Sequence, residues 1–155
     1  MSWSTINKII IIFSIVFTFS VYAADSFKVE VKYPKDVAVG DEFKLVISID
    51  NDESSFDISN IYISIGKDML SKIQVLRSQP PFRKKLSIPI PHLDEFRMFY
   101  KDELIITPGK REKIIIYCKA IRAGSARGKL RISAWASFLN PFKTYVQSIQ
   151  LDINP

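Results

Sequence analysis

The chain has 155 residues, with 22 lysines and arginines against 16 aspartates and glutamates, and a formal net charge of +6. That length suits one domain and is too short for two of ordinary size. One histidine and one cysteine exclude an intrachain disulfide, and they leave too few ligands for a blue-copper centre, which needs two histidines beside a cysteine and a methionine. The charge excess fits a soluble domain with some attraction to anionic surfaces, and it is too modest to specify nucleic acid.

Residues 1–23 have the three-part layout of a secretory signal peptide. Lys8 is the only charged side chain before Asp25, Ile9 to Phe19 is an apolar run, and Val21-Tyr22-Ala23 offers permissive residues for cleavage before Ala24. The run is short of the ~20 residues that span a bilayer, so cleavage is expected over an uncleaved anchor. The mature domain is then 24–155, with a net charge of about +5 once Lys8 is set aside. A lone Cys118 means that this exported domain must be held by core burial alone.

From Phe27 the chain alternates. Phe27, Val29, Val31 and Tyr33 interleave with Lys28, Glu30 and Lys32, which predicts a half-buried first strand ended by Pro34. Asp36 to Asp41 is read as an extended link with a Gly-Asp turn. Phe43, Leu45, Ile47 and Ile49 predict a second strand, Asp50–Ser55 an acidic loop, and Ile58, Ile61, Ile63 and Ile65 a third strand closed by Gly66. Lys67–Lys72 could make one helical turn. Ile73–Leu76 is a short strand broken by Pro80-Pro81, and Leu86–Ile90 is an edge strand because Pro89 lies inside it. Phe96–Tyr100 and Leu104–Ile106 follow.

Thr107 to Ala136 is the stretch on which the rest is expected to pack. Two apolar runs, Ile114–Ala120 and Leu130–Ala136, flank a segment, Arg122–Lys129, whose Gly124 and Gly128 predict a turn. Asn140-Pro141 turns the chain into a closing strand through Tyr145, Gln147, Ile149 and Leu151. Seven to nine short strands with turns between them define an all-β, immunoglobulin-like antiparallel sandwich.

Three pieces together resemble exported bacterial immunoglobulin-like modules of the CARDB type. They are Val37-Ala38-Val39-Gly40-Asp41-Glu42-Phe43 leading into a strand that ends near Asn51, Ile105-Ile106-Thr107-Pro108-Gly109-Lys110 before a strand, and Ala123-Gly124 with Lys129–Ala136 after it. The resemblance implies an adhesive, spacing or assembly domain, and it brings no catalytic residues. It departs in the proline-interrupted middle, Met69 to Lys101.

Several residues carry candidate chemistry. Cys118 has the parity of Ile114 and Ile116 and is expected in the core as a small hydrophobe; the alternative is a reactive or metal-binding thiol. His92 follows Pro91 in a loop beside Asp94 and Glu95 and is expected at the surface. With no second histidine, a zinc site would have to complete its ligands with carboxylates or Cys118, and serine-type catalysis through His92 lacks an elbow-like glycine frame around any serine. Asp50, Asp52, Glu53 and Asp57 form an oxygen-rich loop, but Ser55 and Ile61 stand where an EF-hand needs glycine and glutamate. Basic residues cluster at Arg83-Lys84-Lys85, at Lys110, Arg111 and Lys113, and at Arg122, Arg127, Lys129 and Arg131, with Lys119 a possible neighbour of the last pair. Tyr117 and Trp135 have outward parity, so Tyr117, Lys129, Arg131, Ser133 and Trp135 are the expected binding patch. Were the middle segment to cover that face, Trp135 would instead be core.

The expected function is an exported, periplasmic or extracellular, non-catalytic module that binds a protein or anionic glycan partner at the cell envelope. The alternative is a structural or accessory subunit of a larger envelope or secretion assembly. A small metal or redox protein built on His92 and Cys118 is the third reading. No cofactor, no nucleic-acid partner and no stable membrane span after cleavage are expected.

Overall fold

The structure is a computed structural model, and it describes residues 27–52, 56–82, 84–85, 95–100, 104–135 and 143–155. The expected signal peptide 1–23, Glu53, the expected strand Leu86–Ile90, His92 and the expected turn at Asn140-Pro141 lie outside those residues.

Two sheets form the expected immunoglobulin-like sandwich. The first has four strands in the order β1 (Lys28–Lys32), β3 (Glu42–Asp50), β8 (Arg111–Ala120) and β5 (Ile73–Gln79). The second has six, in the order β2 (Asp36–Ala38), β10 (Lys143–Asn154), β9 (Gly124–Trp135), β4 (Ser59–Gly66), β7 (Glu95–Tyr100) and β6 (Lys84–Lys85). The only helix among the described residues is α1, Lys67–Leu70, a single turn that carries the chain from β4 to β5. Strands of ordinary length fall in the expected range, and the very short β2 and β6 finish the edges of the larger sheet. β2 covers only Asp152–Asn154 of β10, and β1 and β5 are the edges of the smaller sheet.

Alternation builds the core. Leu45, Ile47 and Ile49 of β3 and Ile114, Ile116 and Cys118 of β8 face Ile61, Ile63 and Ile65 of β4, Leu130 and Ile132 of β9, and Leu151 of β10; each is at most 1 % exposed. A fully buried isoleucine contributes about 1.5–3 kcal/mol, so these layers supply the stability that no disulfide provides. Ile58 shares full burial with Ile61 although the two positions have opposite parity. The β4–β9 register shifts between Ser59 and Tyr62, and Asn60 takes φ 49°, so a bulge absorbs the odd residue.

Asn51 locks one end of the sandwich. It is fully buried, and its Nδ2 donates to the carbonyls of Phe56 at 2.9 Å and Ile106 at 2.8 Å. Its backbone closes the Thr107–Lys110 turn, donating to Lys110 at 2.9 Å and accepting from Gly109 at 2.8 Å. The polar residue after an apolar strand and the Pro-Gly turn are thus two halves of one device. At the other end, Asp41 turns the chain, its Oδ2 accepting from the Ala38 amide at 3.0 Å.

Three expectations are corrected. Asp36–Ala38 is a strand, paired in parallel with Asp152–Asn154. Leu104–Ile106 is not a strand; only Ile106 bridges, to Ile58. The segment Arg122–Lys129 is mostly β9, and the turn shrinks to Ile121–Ala123. Small inward residues, Ala126 and Gly128, had hidden the alternation there. The consecutive strands β8 and β9 do not pair with each other: β8 lies between β3 and β5, and β9 between β10 and β4. The connection arches from sheet to sheet, pinned by Lys72, whose carbonyl accepts from Ile121 at 2.8 Å and whose Nζ donates to the Ala123 carbonyl at 3.0 Å. Gly124 leaves the arch at φ 112°, a conformation that side chains resist.

Candidate functional site

The outer face of the six-stranded sheet is built by period two. On β9 the inward residues Ala126, Leu130, Ile132 and Ala134 are buried, which turns Arg127, Lys129, Arg131, Ser133 and Trp135 outward. Across the ladder, Ser133 meets Thr144, Arg131 meets Val146, Lys129 meets Ser148 and Arg127 meets Gln150. On the other side Ser133 meets Tyr62, and Trp135 meets Ser59.

The face has two halves. Towards Trp135 it is aromatic. Tyr62 and its cross-strand partner Phe99 stack with ring centroids 4.3 Å apart and planes 15° from parallel. Ser133 and Thr144 share a hydroxyl hydrogen bond of 2.8 Å beside them. Trp135 is 42 % exposed and Val146 48 %. The indole therefore faces solvent and is not core.

Towards α1 the face is basic. A groove of about 690 Å³ runs from Tyr33 across β10 and β9 to Gly66, Lys67 and Asp68, and Arg127, Lys129 and Arg131 line it. Gly128 makes this packing possible: a Cβ there would stand 2.5 Å from Met69 Cγ. Met69, the buried residue of α1, fills the space under the sheet that a larger side chain would occupy.

The structure divides the residues expected to form one patch. Lys129, Arg131, Ser133 and Trp135 share the outer face of β9. Tyr117 also points outward, but on β8, so it lies on the opposite side of the molecule. Its ring is half-buried between neighbours: Arg77 Cζ is 3.6 Å and Lys44 Nζ 5.3 Å from the ring centroid. Tyr117 is therefore a clamp for two cations and not part of the patch. Lys119 is likewise on β8, between Glu42 and Gln74, away from Lys129. Arg127, Lys67, Tyr62 and Val146 join the face without having been expected there. Arg127 was legible, since it has the parity of Lys129 and Arg131. Tyr62 and Val146 were not, because strand partners are invisible in one sequence.

The remaining candidates are accounted for by packing. Cys118 is fully buried, and burial pushes its thiol up to about 12, so it stays protonated at neutral pH. In the acidic loop, Asp50 is nearly buried and takes two hydrogen bonds from Arg111 on the same carboxylate oxygen, from Nε at 2.9 Å and Nη2 at 2.6 Å. The hydrogen bond from Asp52, and then Arg111, hold Asp50 below its usual value, whereas that same bond and desolvation raise Asp52. Asp57 is exposed, and Glu53 and His92 lie outside the described residues. No three His, Cys, Asp or Glu side chains gather as a metal site among the described residues.

No protein family matches the sequence, and no curated protein matches it. Solved structures do match. A cohesin module from a Clostridium perfringens family 33 glycoside hydrolase superposes with a TM-score of 0.56 at 12% identity, covering 83% of this chain and 97% of that one. A Salmonella alpha-2-macroglobulin superposes with a TM-score of 0.54 at 15% identity, covering 85% of this chain. This chain spans only 7% of the length of that protein. A CARDB domain from Pyrococcus furiosus is also similar, with a TM-score of 0.47 at 10% identity, covering 83% of this chain and 94% of that one. The class is an immunoglobulin-like β-sandwich module, and among the described residues no helix is long and apolar enough to cross a membrane.

Proposed function

We propose that the chain is an exported, non-catalytic module that binds a partner at the cell envelope through the outer face of its six-stranded sheet. One observation carries the reading: exposed Trp135 and Val146 stand beside the Tyr62–Phe99 stack on the same face as Arg127, Lys129 and Arg131. An exposed indole bordered by polar and cationic groups is the composition of an interface centre with its rim. The four-stranded sheet supports no such role, because its aromatic ring is already covered by Arg77 and Lys44. The signal-like residues 1–23 support export. Burial of the Cys118 thiol argues against redox or metal work by that residue.

Binding of the purified chain to immobilised cell-envelope material tests the reading. Truncating a central aromatic commonly costs 2 kcal/mol or more, so the paired change Trp135→Ala and Val146→Asp should weaken binding by about thirtyfold. Tyr117→Ala, on the opposite sheet, should leave it within about twofold. Equal loss from both variants, or loss from neither, refutes the assignment of the face.

A further inference from the structure

We infer that the basic groove takes an acidic saccharide chain, held by Arg127, Lys129 and Lys67. This rests on the proposed use of the outer sheet face and adds the chemical class of one ligand. The groove holds about 690 Å³, and Arg127, Lys129, Arg131 and Lys67 line it against the single carboxylate of Asp68. Arg127 and Lys129 make no ion pair among the described residues, so their charge is directed at solvent. They project from alternate positions of one strand, about 6.5–7 Å apart, a spacing that matches repeated charges along a chain better than a single compact anion.

The groove crosses β9 and the end of β4, which have a partner strand on each side, and residues 148–150 of β10, which lie outside the Asp152–Asn154 stretch that β2 pairs. Poly-glutamate, which could pair along residues 148–150, is therefore the competing polyanion that the titration must separate. Two features choose among polyanions. Single-stranded nucleic acid favours exposed aromatic rings between the cations, but the one ring here, Tyr33, is packed against the core at the groove end. The remaining lining is uncharged: Ile149, two glycines, and Ser148 and Gln150, which turn outward from β10 beside Lys129 and Arg127. Hydroxyl and amide groups interleaved with cations suit a chain that presents hydroxyls between its charges.

The test is a titration of the full chain with sodium polygalacturonate, with dextran, poly-glutamate, poly(dT) and vesicles of phosphatidylglycerol as the other arms. Polygalacturonate should bind and dextran should not. Three neutralised charges, at the single-strand slope of about −0.7 each, would lower affinity by about twentyfold between 50 and 200 mM salt. Arg127→Gln with Lys129→Gln should lose at least tenfold, whereas Lys28→Gln with Lys32→Gln, an equal charge change on the other sheet, should stay within twofold. Asp68→Asn should tighten binding. Thermal melts confirm that each variant is folded. Equal binding by the Arg127 and Lys129 variant, or tighter binding of poly-glutamate, poly(dT) or vesicles through those residues, overturns the inference. If envelope material still binds through Trp135 while polygalacturonate does not, the proposed function stands and the saccharide assignment alone fails.

Discussion

Replacing Gly128 by alanine tests how the sheet closes over α1. The added Cβ would stand 2.5 Å from Cγ and 3.3 Å from Sδ of Met69, against an ordinary carbon contact of about 3.5–4.0 Å. Met69 is fully buried and cannot swing into solvent, so it must shift by about 1 Å within a filled core. Overpacking of that kind costs about 1–3 kcal/mol, and removing a strand glycine returns about 0.5–1 kcal/mol. The net loss should be about 1–2 kcal/mol, a fall in Tm of about 3–8 °C followed by circular dichroism. Met69→Ala alone should cost about 2–5 kcal/mol through its cavity. In that background Gly128→Ala should become neutral or stabilising, giving a coupling of about 1–3 kcal/mol in the double-mutant cycle. The same cost of Gly128→Ala in both backgrounds, or a gain in the unaltered chain, would show that Met69 is not what excludes a side chain at this position.

Two further outcomes follow from buried groups. Cys118, fully buried with its thiol pushed up to about 12, should resist a thiol reagent in the folded chain at pH 7.5 and react fully once unfolded in guanidinium; labelling at the rate of an exposed thiol would refute its placement. Asp52, raised from 3.8 by its hydrogen bond to Asp50 and by desolvation, favours the fold while protonated. That contribution is complete below the ordinary value and is lost as pH rises through the raised one. Asp50 is lowered, so its contribution is present above the ordinary value and is lost as pH falls below it. Asp52→Asn keeps a donor that does not ionise, so its Tm should exceed that of the unaltered chain at pH 7 and converge with it near pH 3–4. A Tm difference that is constant with pH would refute the pairing.

Period-two hydrophobicity is a local property, and it was enough to define an all-β sandwich, the inward parity of Cys118 and the outward parity of Tyr117 and Trp135. The polar Asn51 and the Pro108-Gly109 turn were visible as pieces, because turn chemistry is local too. The bulge at Asn60 and the early start of β9 were not, since each depends on what lies across the ladder. Small residues at Ala126 and Gly128 read as a turn until Met69 is seen filling the space beneath them. Which strands share a sheet was also beyond the sequence. Tyr117 and Trp135 have the same parity and belong to neighbouring strands in the chain, yet the arch held by Lys72 sends them to opposite faces of the molecule. Side-chain alternation is set by each strand's own backbone, whereas the choice of partner is set by contacts between residues far apart in the chain. The sequence alone therefore determined which residues look outward, and the tertiary structure decided which of them look outward together.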